Sequence, residues 1–191
     1  MSNKHHHFGG RTLARAQALQ LLFQAEATDR TVYEVLEGDY ALSQGPLDPF
    51  GEMLARGADD MRHELDAVIS ATSSNWSVSR MPSVDRNLLR LALYEMLEVD
   101  EVAIAVTIDE SVELAKAFGS EESPKFINGV LGRVASKMDK GVDVVAEAKR
   151  LEAERAAHED AEDDECEGAG VEARDEAAEV VGADDEGLGE E

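Results

Sequence analysis

The chain of 191 residues contains a single cysteine, Cys166, which stands among Asp163, Asp164, Glu165 and Glu167. No internal disulfide can form, and nothing calls for an oxidising compartment. Apolar runs are short: none approaches the roughly 20 residues that span a bilayer, and His5 to Gly10 interrupt any signal-peptide core. A cytoplasmic location without membrane contact is the expectation. Glycine-rich phosphate loops and Ser/His/Asp sets are missing. Beyond the first seven residues histidine occurs only at His63 and His158, neither beside an evident acid–base partner. An enzyme is therefore not expected, and no cofactor is called for. One run, Val102–Val106, could pass for a buried strand, but it has no second strand to pair with and reads as an apolar linker. No internal repeat is discernible.

Basic residues are scarce where the chain is most acidic. Residues 1–150 carry 16 Lys/Arg against 24 Asp/Glu, whereas residues 151–191 carry 2 against 18, so net charges of −8 and −16 fall on very unequal lengths. The Asp/Glu/Ala/Gly-rich remainder cannot bury enough apolar area to offset its ordering entropy, and disorder is expected there. The N-terminus runs the other way: Lys4, Arg11 and Arg15 precede the first acid, Glu26. Gly9 and Gly10 close what reads as a mobile basic arm. The His5–His7 triplet is a metal-binding or tag-like tract, but three adjacent histidines on a floppy arm do not preorganise a site, so no structural metal is expected.

What is present is helical periodicity over an apolar content of 43%. Leu13, Ala16, Leu19, Leu22 and Phe23 predict a helix over 12–27. A shorter one is predicted over 31–40, burying Val32, Val35 and Leu36. Gly45-Pro46 and Asp48-Pro49 mark a loop, after which Phe50, Met53, Leu54, Met61, Leu65, Val68 and Ile69 lie on the stripe of one long helix, weakened at Gly57. Ser83 is positioned to cap a helix from 84 or 85 whose Leu88, Leu89, Leu91, Ala92, Leu93, Met96 and Leu97 surround most of its circumference, as befits the centre of a bundle. Thr107 and Glu110 have capping-box spacing for a helix over 108–118, with Gly119 as a left-handed C-cap. Ser123 and Pro124 then open a last long helix to 138 or 140, and a helical stub is expected to about Arg155.

Two stretches carry more than periodicity. Val84-Asp-Arg-Asn-Leu-Leu-Arg-Leu-Ala-Leu-Tyr-Glu95 is one. The other is Ile108-Asp-Glu-Ser-Val-Glu-Leu-Ala-Lys-Ala-Phe-Gly119, followed by Ser123-Pro-Lys-Phe-Ile-Asn-Gly-Val-Leu131. In order and spacing these resemble the NusB family, and with Ala14-Arg15 and Ala18-Leu-Gln-Leu-Leu-Phe23 the likeness covers residues 11–138. The resemblance implies an all-α, NusB-like fold of about seven helices in two small packed bundles, with a disordered acidic tail. It divides the chain into a basic arm (1–10), an RNA-binding helical domain (11–140) and an acidic tail (141–191). The implied activity is transcription antitermination: single-stranded boxA RNA of ribosomal RNA operons, bound jointly with the ribosomal protein NusE, in an elongation complex with RNA polymerase and other Nus factors. NusB-like domains also resemble the N-terminal domain of certain ribosomal RNA cytosine methyltransferases, which adds as alternatives a protein-binding or dimerisation module lacking the catalytic domain.

Single-stranded RNA is held by cations on phosphates and flat groups under unstacked bases. Arg11 and Arg15, one turn apart on one helix face, and Lys4 on the arm are the first candidates; ordinary solvated helix charge is the other reading. Where the family has a denser arginine cluster this chain has Thr12 and Leu13, which implies fewer phosphate contacts and a shallower salt dependence. Lys125, Phe126 and Asn128 flank the exposed amides of the last helix, although Phe126 taken alone reads more readily as a core aromatic. Arg86, Arg90 and Tyr94 form one edge at four-residue intervals, either for a protein partner or for internal salt bridges to acids such as Asp85 or Glu95. Glu121 and Glu122 would repel RNA and by resemblance face the protein partner.

Overall fold

A computed structural model describes residues 7–73 and 77–157; Lys4, His5, His6, Trp76, Cys166 and the remainder of the acidic tail from residue 158 on lie outside the described residues. Two compact units divide after Arg150. Of the second, only residues 151–157 are described, and they are helical. The first unit carries α1 (Gly10–Ala27), α2 (Val32–Glu37), α3 (Pro49–Asp60), α4 (Arg62–Thr72), a single 3-10 turn (Val78–Arg80), α5 (Ser83–Glu98), α6 (Ile104–Phe118) and α7 (Ser123–Met138). Helix resumes at 144, where Val144 and Ala148 are buried in the core. Among the described residues there is no strand, and the architecture is the all-α one expected. No described helix is long and apolar enough to cross a membrane.

The apolar pattern decides the packing. α5 buries Leu88, Leu89, Leu91, Ala92, Leu93 and Met96 around most of its girth, and it packs on α1 and α3 as well as on α4, α6 and α7. α1 buries residues beyond one stripe, with alanines at 14, 16, 18 and 25 among them, so neighbouring helices can approach closely. The closest approach is at Gly51, where a Cβ would lie 2.5 Å from the carbonyl oxygen of Ala14. Gly57 has a similar purpose. A Cβ there would sit 1.9 Å from Cζ of Tyr94, so the glycine that only weakens the helical pattern in the sequence is the seat of an aromatic ring.

Several boundaries differ from the sequence reading, each for a local reason. The long third helix is two, bent at Met61 (φ −94°, ψ 15°), which lets α3 lie on α1 while α4 turns onto α5 and α7. At the bend Asp59 pairs with Arg62 and accepts the Val32 amide of α2 at 2.7 Å. A capping box does form, but at Thr31 and Glu34 on α2, which stops at Glu37 before Gly38 rather than at Tyr40. Thr107 and Glu110 form none, because α6 starts at Ile104 inside the supposed linker; Thr107 is an interior, fully buried residue and Glu110 turns to Arg15. Gly119 is extended (φ −90°, ψ −171°), not left-handed; its missing Cβ makes room for Ser123, whose Cβ and Oγ would lie 2.6 Å away. Neither Ser83 nor Ser123 caps its helix, since each is the first helical residue. Ser123 instead accepts the Ser120 amide at 2.8 Å, drawing the start of α7 against the end of α6.

Glycines in this fold should therefore divide by what surrounds them. Gly51→Ala is expected to lower stability by about 1–3 kcal/mol, since only backbone could yield. Gly132→Ala, with nothing within 4 Å of the added methyl, should raise it by about 0.5–1 kcal/mol through helix propensity. Urea unfolding midpoints of the two variants check both signs.

Candidate nucleic-acid and partner interface

The arginines of the expected binding faces have different surroundings. Arg15 does not share an exposed face with Arg11: its side chain is 3% exposed and grips Glu95 of α5, itself 1% exposed, through Nε at 2.9 Å and Nη2 at 2.6 Å. Glu110 of α6 adds a 3.4 Å contact to Nη1. The residue four positions along the helix from Arg11 points inward because α5 covers that side of α1, so Arg15 is a structural cation. Arg11 remains half exposed. Its guanidinium stacks 4.8 Å from the centre of the Phe50 ring and lies 3.5 Å from Glu101.

Arg86 and Arg90 follow the internal-bridge reading, with partners other than those expected. Arg86 donates to Glu26 at 2.5 Å and to the carbonyls of Val78 and Met81, while Arg90 spans Glu26 at 2.9 Å and both oxygens of Asp66 at 2.7 Å. Burial alone would raise the Glu26 carboxyl, but hydrogen bonds from Arg86 and Ser83 and the charges of Arg86 and Arg90 bring it down to about 2. Tyr94 lies on Gly57 with its hydroxyl 3.8 Å from Sδ of Met53; burial and then the charges of Glu98 and Asp60 raise its phenol above the ordinary value. Arg86, Arg90 and Tyr94 thus form no free edge.

The start of α7 keeps its polar groups in solvent. Lys125 and Asn128 are exposed, Glu121 and Glu122 are exposed in the turn before them, and Phe126 is partly buried and packed against the core, as its core reading has it. A few residues back, Phe118 at the end of α6 contributes to a feature the sequence reading did not single out. It lines an apolar groove of about 380 Å³ with Leu19, Phe23 and Val84, edged by Gln20, Gln24 and Ala41. Phe23, one of the apolar residues whose spacing predicts the first helix, is 43% exposed in this groove. Its helical spacing gave no sign of this, because a groove-lining aromatic and a core aromatic share one periodicity.

A second unnoticed set holds the loop between α2 and α3. Gln17, Gln20 and Gln24, at i, i+3 and i+7 on one face of α1, each both donate to and accept from it. Gln17 donates to the carbonyls of Gln44 and Pro46 and accepts the Asp48 amide; Gln20 bonds Ser43 and Gln24 bonds Ala41 in the same two-way fashion, all within 2.8–2.9 Å. Their common face was readable from spacing, but their partners were not.

An all-helical architecture packed around one central helix, its arginines largely spent on ion pairs and an apolar groove left open, defines the class. The sequence profile of the NusB family matches residues 12–136, and the chain belongs to that family. It is 41% identical over 129 residues to the transcription antitermination protein NusB of Bacillus subtilis (strain 168), covering 68% of this chain and 97% of that one. Among solved structures, T. maritima NusB aligns with a TM-score of 0.58 at 36% identity, covering 69% of this chain and 94% of its own. A crystal structure of the antitermination factors NusB and NusE in complex with dsRNA aligns with a TM-score of 0.54 at 25% identity, covering 65% and 94%.

The ion pairs set the stability expected of variants. Arg15→Ala leaves Glu95 buried without its cation and should cost about 3–5 kcal/mol, against less than about 0.5 kcal/mol for the half-exposed Arg11→Ala. The Glu26 contribution is complete above the ordinary carboxylate value of 4.5 and lost as pH falls toward 2. Glu26→Gln should therefore lower neutral-pH stability by about 1–2 kcal/mol, after allowance for solvent screening, and flatten the acid limb between pH 4.5 and 2 in thermal melts.

Proposed function

We propose that the chain is a non-enzymatic transcription antitermination factor of the cytoplasm that binds boxA RNA of ribosomal RNA operons together with the ribosomal protein NusE and supports processive transcription by RNA polymerase. Family membership is the observation that carries this reading, alongside a related structure that holds NusB, NusE and dsRNA together. The local geometry supports it. Lys125 and Asn128 stand in solvent at the amide-rich start of α7, where phosphates are favoured. The apolar groove along Leu19, Phe23 and Phe118 lies beside the acidic Glu121–Glu122 turn, which suits a basic protein partner with an apolar anchor. NusE and RNA would then each raise the other's affinity by linkage, and the pair would join the elongation complex with the other Nus factors.

With Arg15 occupied internally, the cations offered to single-stranded RNA are Lys4, Arg11 and Lys125. Three phosphate contacts give a salt slope of about −2 in log K against log salt, and removing one cation should flatten it by about 0.7. Fluorescence anisotropy of a boxA-containing RNA across 50–300 mM salt, with and without NusE, tests the reading on wild type, Arg11→Ala and Lys125→Ala. Phe23→Asp should abolish the NusE-dependent gain. Absence of any preference for boxA over a scrambled RNA in the presence of NusE would sink the proposal.

A further inference from the structure

An arginine in the first turn of a surface helix ordinarily samples many rotamers in solvent, but Arg11 has a seat, and the seat is built by α3. Asp48 accepts the Phe50 amide at 2.8 Å as the cap of that helix, and its own amide is held by Gln17 of α1 at 2.9 Å. One residue beyond Phe50, Gly51 lies against the backbone of Ala14. The first turn of α3 is thus fastened to α1 on both sides of Phe50. Its ring meets both arginines, with the guanidinium carbon of Arg11 4.8 Å and that of Arg15 5.7 Å from the ring centre, each within cation–π reach. Arg15 is matched in the interior by Glu95 and Glu110, whereas Arg11 stays half exposed and meets Glu101, an exposed residue of the turn between α5 and α6, at 3.5 Å from Nη2. Two arginines against three glutamates leave these five side chains with a net charge of −1, and Glu101 is the one that belongs to Arg11.

We infer that Arg11, Phe50 and Glu101 form a preorganised phosphate clamp for single-stranded RNA, in which Phe50 is the positioning residue that holds the guanidinium and Glu101 is the resident counter-ion that a phosphate displaces. The inference rests on the RNA-binding reading above and assigns the roles of two residues to it. A free arginine surrenders rotamer freedom when it binds; one already seated on a ring has surrendered it during folding, so the loss on binding is smaller. Stacking also occupies a face of the guanidinium and leaves its N–H edge for an anion. Glu101 holds that edge weakly, because its contact is longer than the roughly 2.7–2.9 Å of a charge-assisted hydrogen bond and exposed ion pairs are screened by salt. A phosphate can accept two parallel N–H bonds there and take the place of the carboxylate. The displaced Glu101 remains tethered nearby and repels the RNA, so it holds affinity below what the cation would otherwise give.

Phe50→Leu is expected to weaken boxA RNA binding about two- to fivefold with the salt slope unchanged, since no charge is removed. Glu101→Gln should tighten binding about two- to threefold at low salt, a gain that fades as salt rises. Asp100→Asn removes the same charge one residue away and should give less than half of that gain. The decisive measurement is a double-mutant cycle with Arg11→Ala, in whose background the effects of Phe50→Leu and Glu101→Gln should both shrink toward none. Equal effects in the two backgrounds would overturn the clamp, as would unchanged affinity in either single variant or an equal gain in Asp100→Asn. Leucine keeps apolar packing at position 50, and a thermal melt checks that this variant is folded; Glu101 is exposed, so its cycle decides the matter if that melt fails. A wild type that prefers boxA RNA but lacks this coupling sinks the inference alone. No preference for boxA even with NusE brings down the functional reading as well.

Discussion

The fold turns on the pairing of two guanidinium–carboxylate clamps between α1 and α5. Near the start of α1, Arg15 meets Glu95 near the end of α5; near the end of α1, Glu26 meets Arg86 and Arg90 near the start of α5. Charge has exchanged sides between the two clamps, and their order along each helix is reversed, so an antiparallel pair is the arrangement that satisfies both. A slip by one turn would leave Arg15 and Glu95 buried and unpaired, at a cost of several kcal/mol each. Apolar packing brings the helices together, but leucines and alanines tolerate several registers. These ions accept one. Since α5 packs on α1 and α3 as well as on α4, α6 and α7, its register against α1 bears on the position of everything packed on it.

That division of labour explains how the sequence could be read and where it misled. Periodicity located the helices because burial of one face is a property of each segment by itself. Boundaries failed where the third dimension decided them: α6 continues back to Ile104 because Thr107 is covered by neighbouring helices, and the helix over 50–69 bends at Met61 because α3 and α4 lie on different partners. Capping signals need context too, as Thr31 with Glu34 makes a box whereas Thr107 with Glu110, identically spaced, does not.

The exposure of Lys125, Asn128, Glu121 and Glu122 was legible, since it follows from position at and before a solvent-facing helix start. It was misread at Arg15 because a charged residue on a helix is by default assigned to solvent, and only the location of Glu95, eighty residues on, reverses that. The groove was missed for the complementary reason, in that helical spacing does not distinguish an aromatic that lines a surface groove, as Phe23 and Phe118 do, from one that is wholly core.

The glutamine face of α1 has a consequence of a different kind. Gln17, Gln20 and Gln24 hold their loop entirely with neutral amides, in a molecule that otherwise fastens its helices with ions. Amide contacts are indifferent to counter-ions and to titration between mildly acidic and alkaline pH. The scaffold that leads into Phe50 is in effect electrically silent, so it stays put under the ionic conditions that make or break contacts with a polyanion. A protein whose ligand is governed by salt thus keeps one part of its receiving surface outside salt's reach, and a response to ionic strength at that surface can be assigned to the ligand.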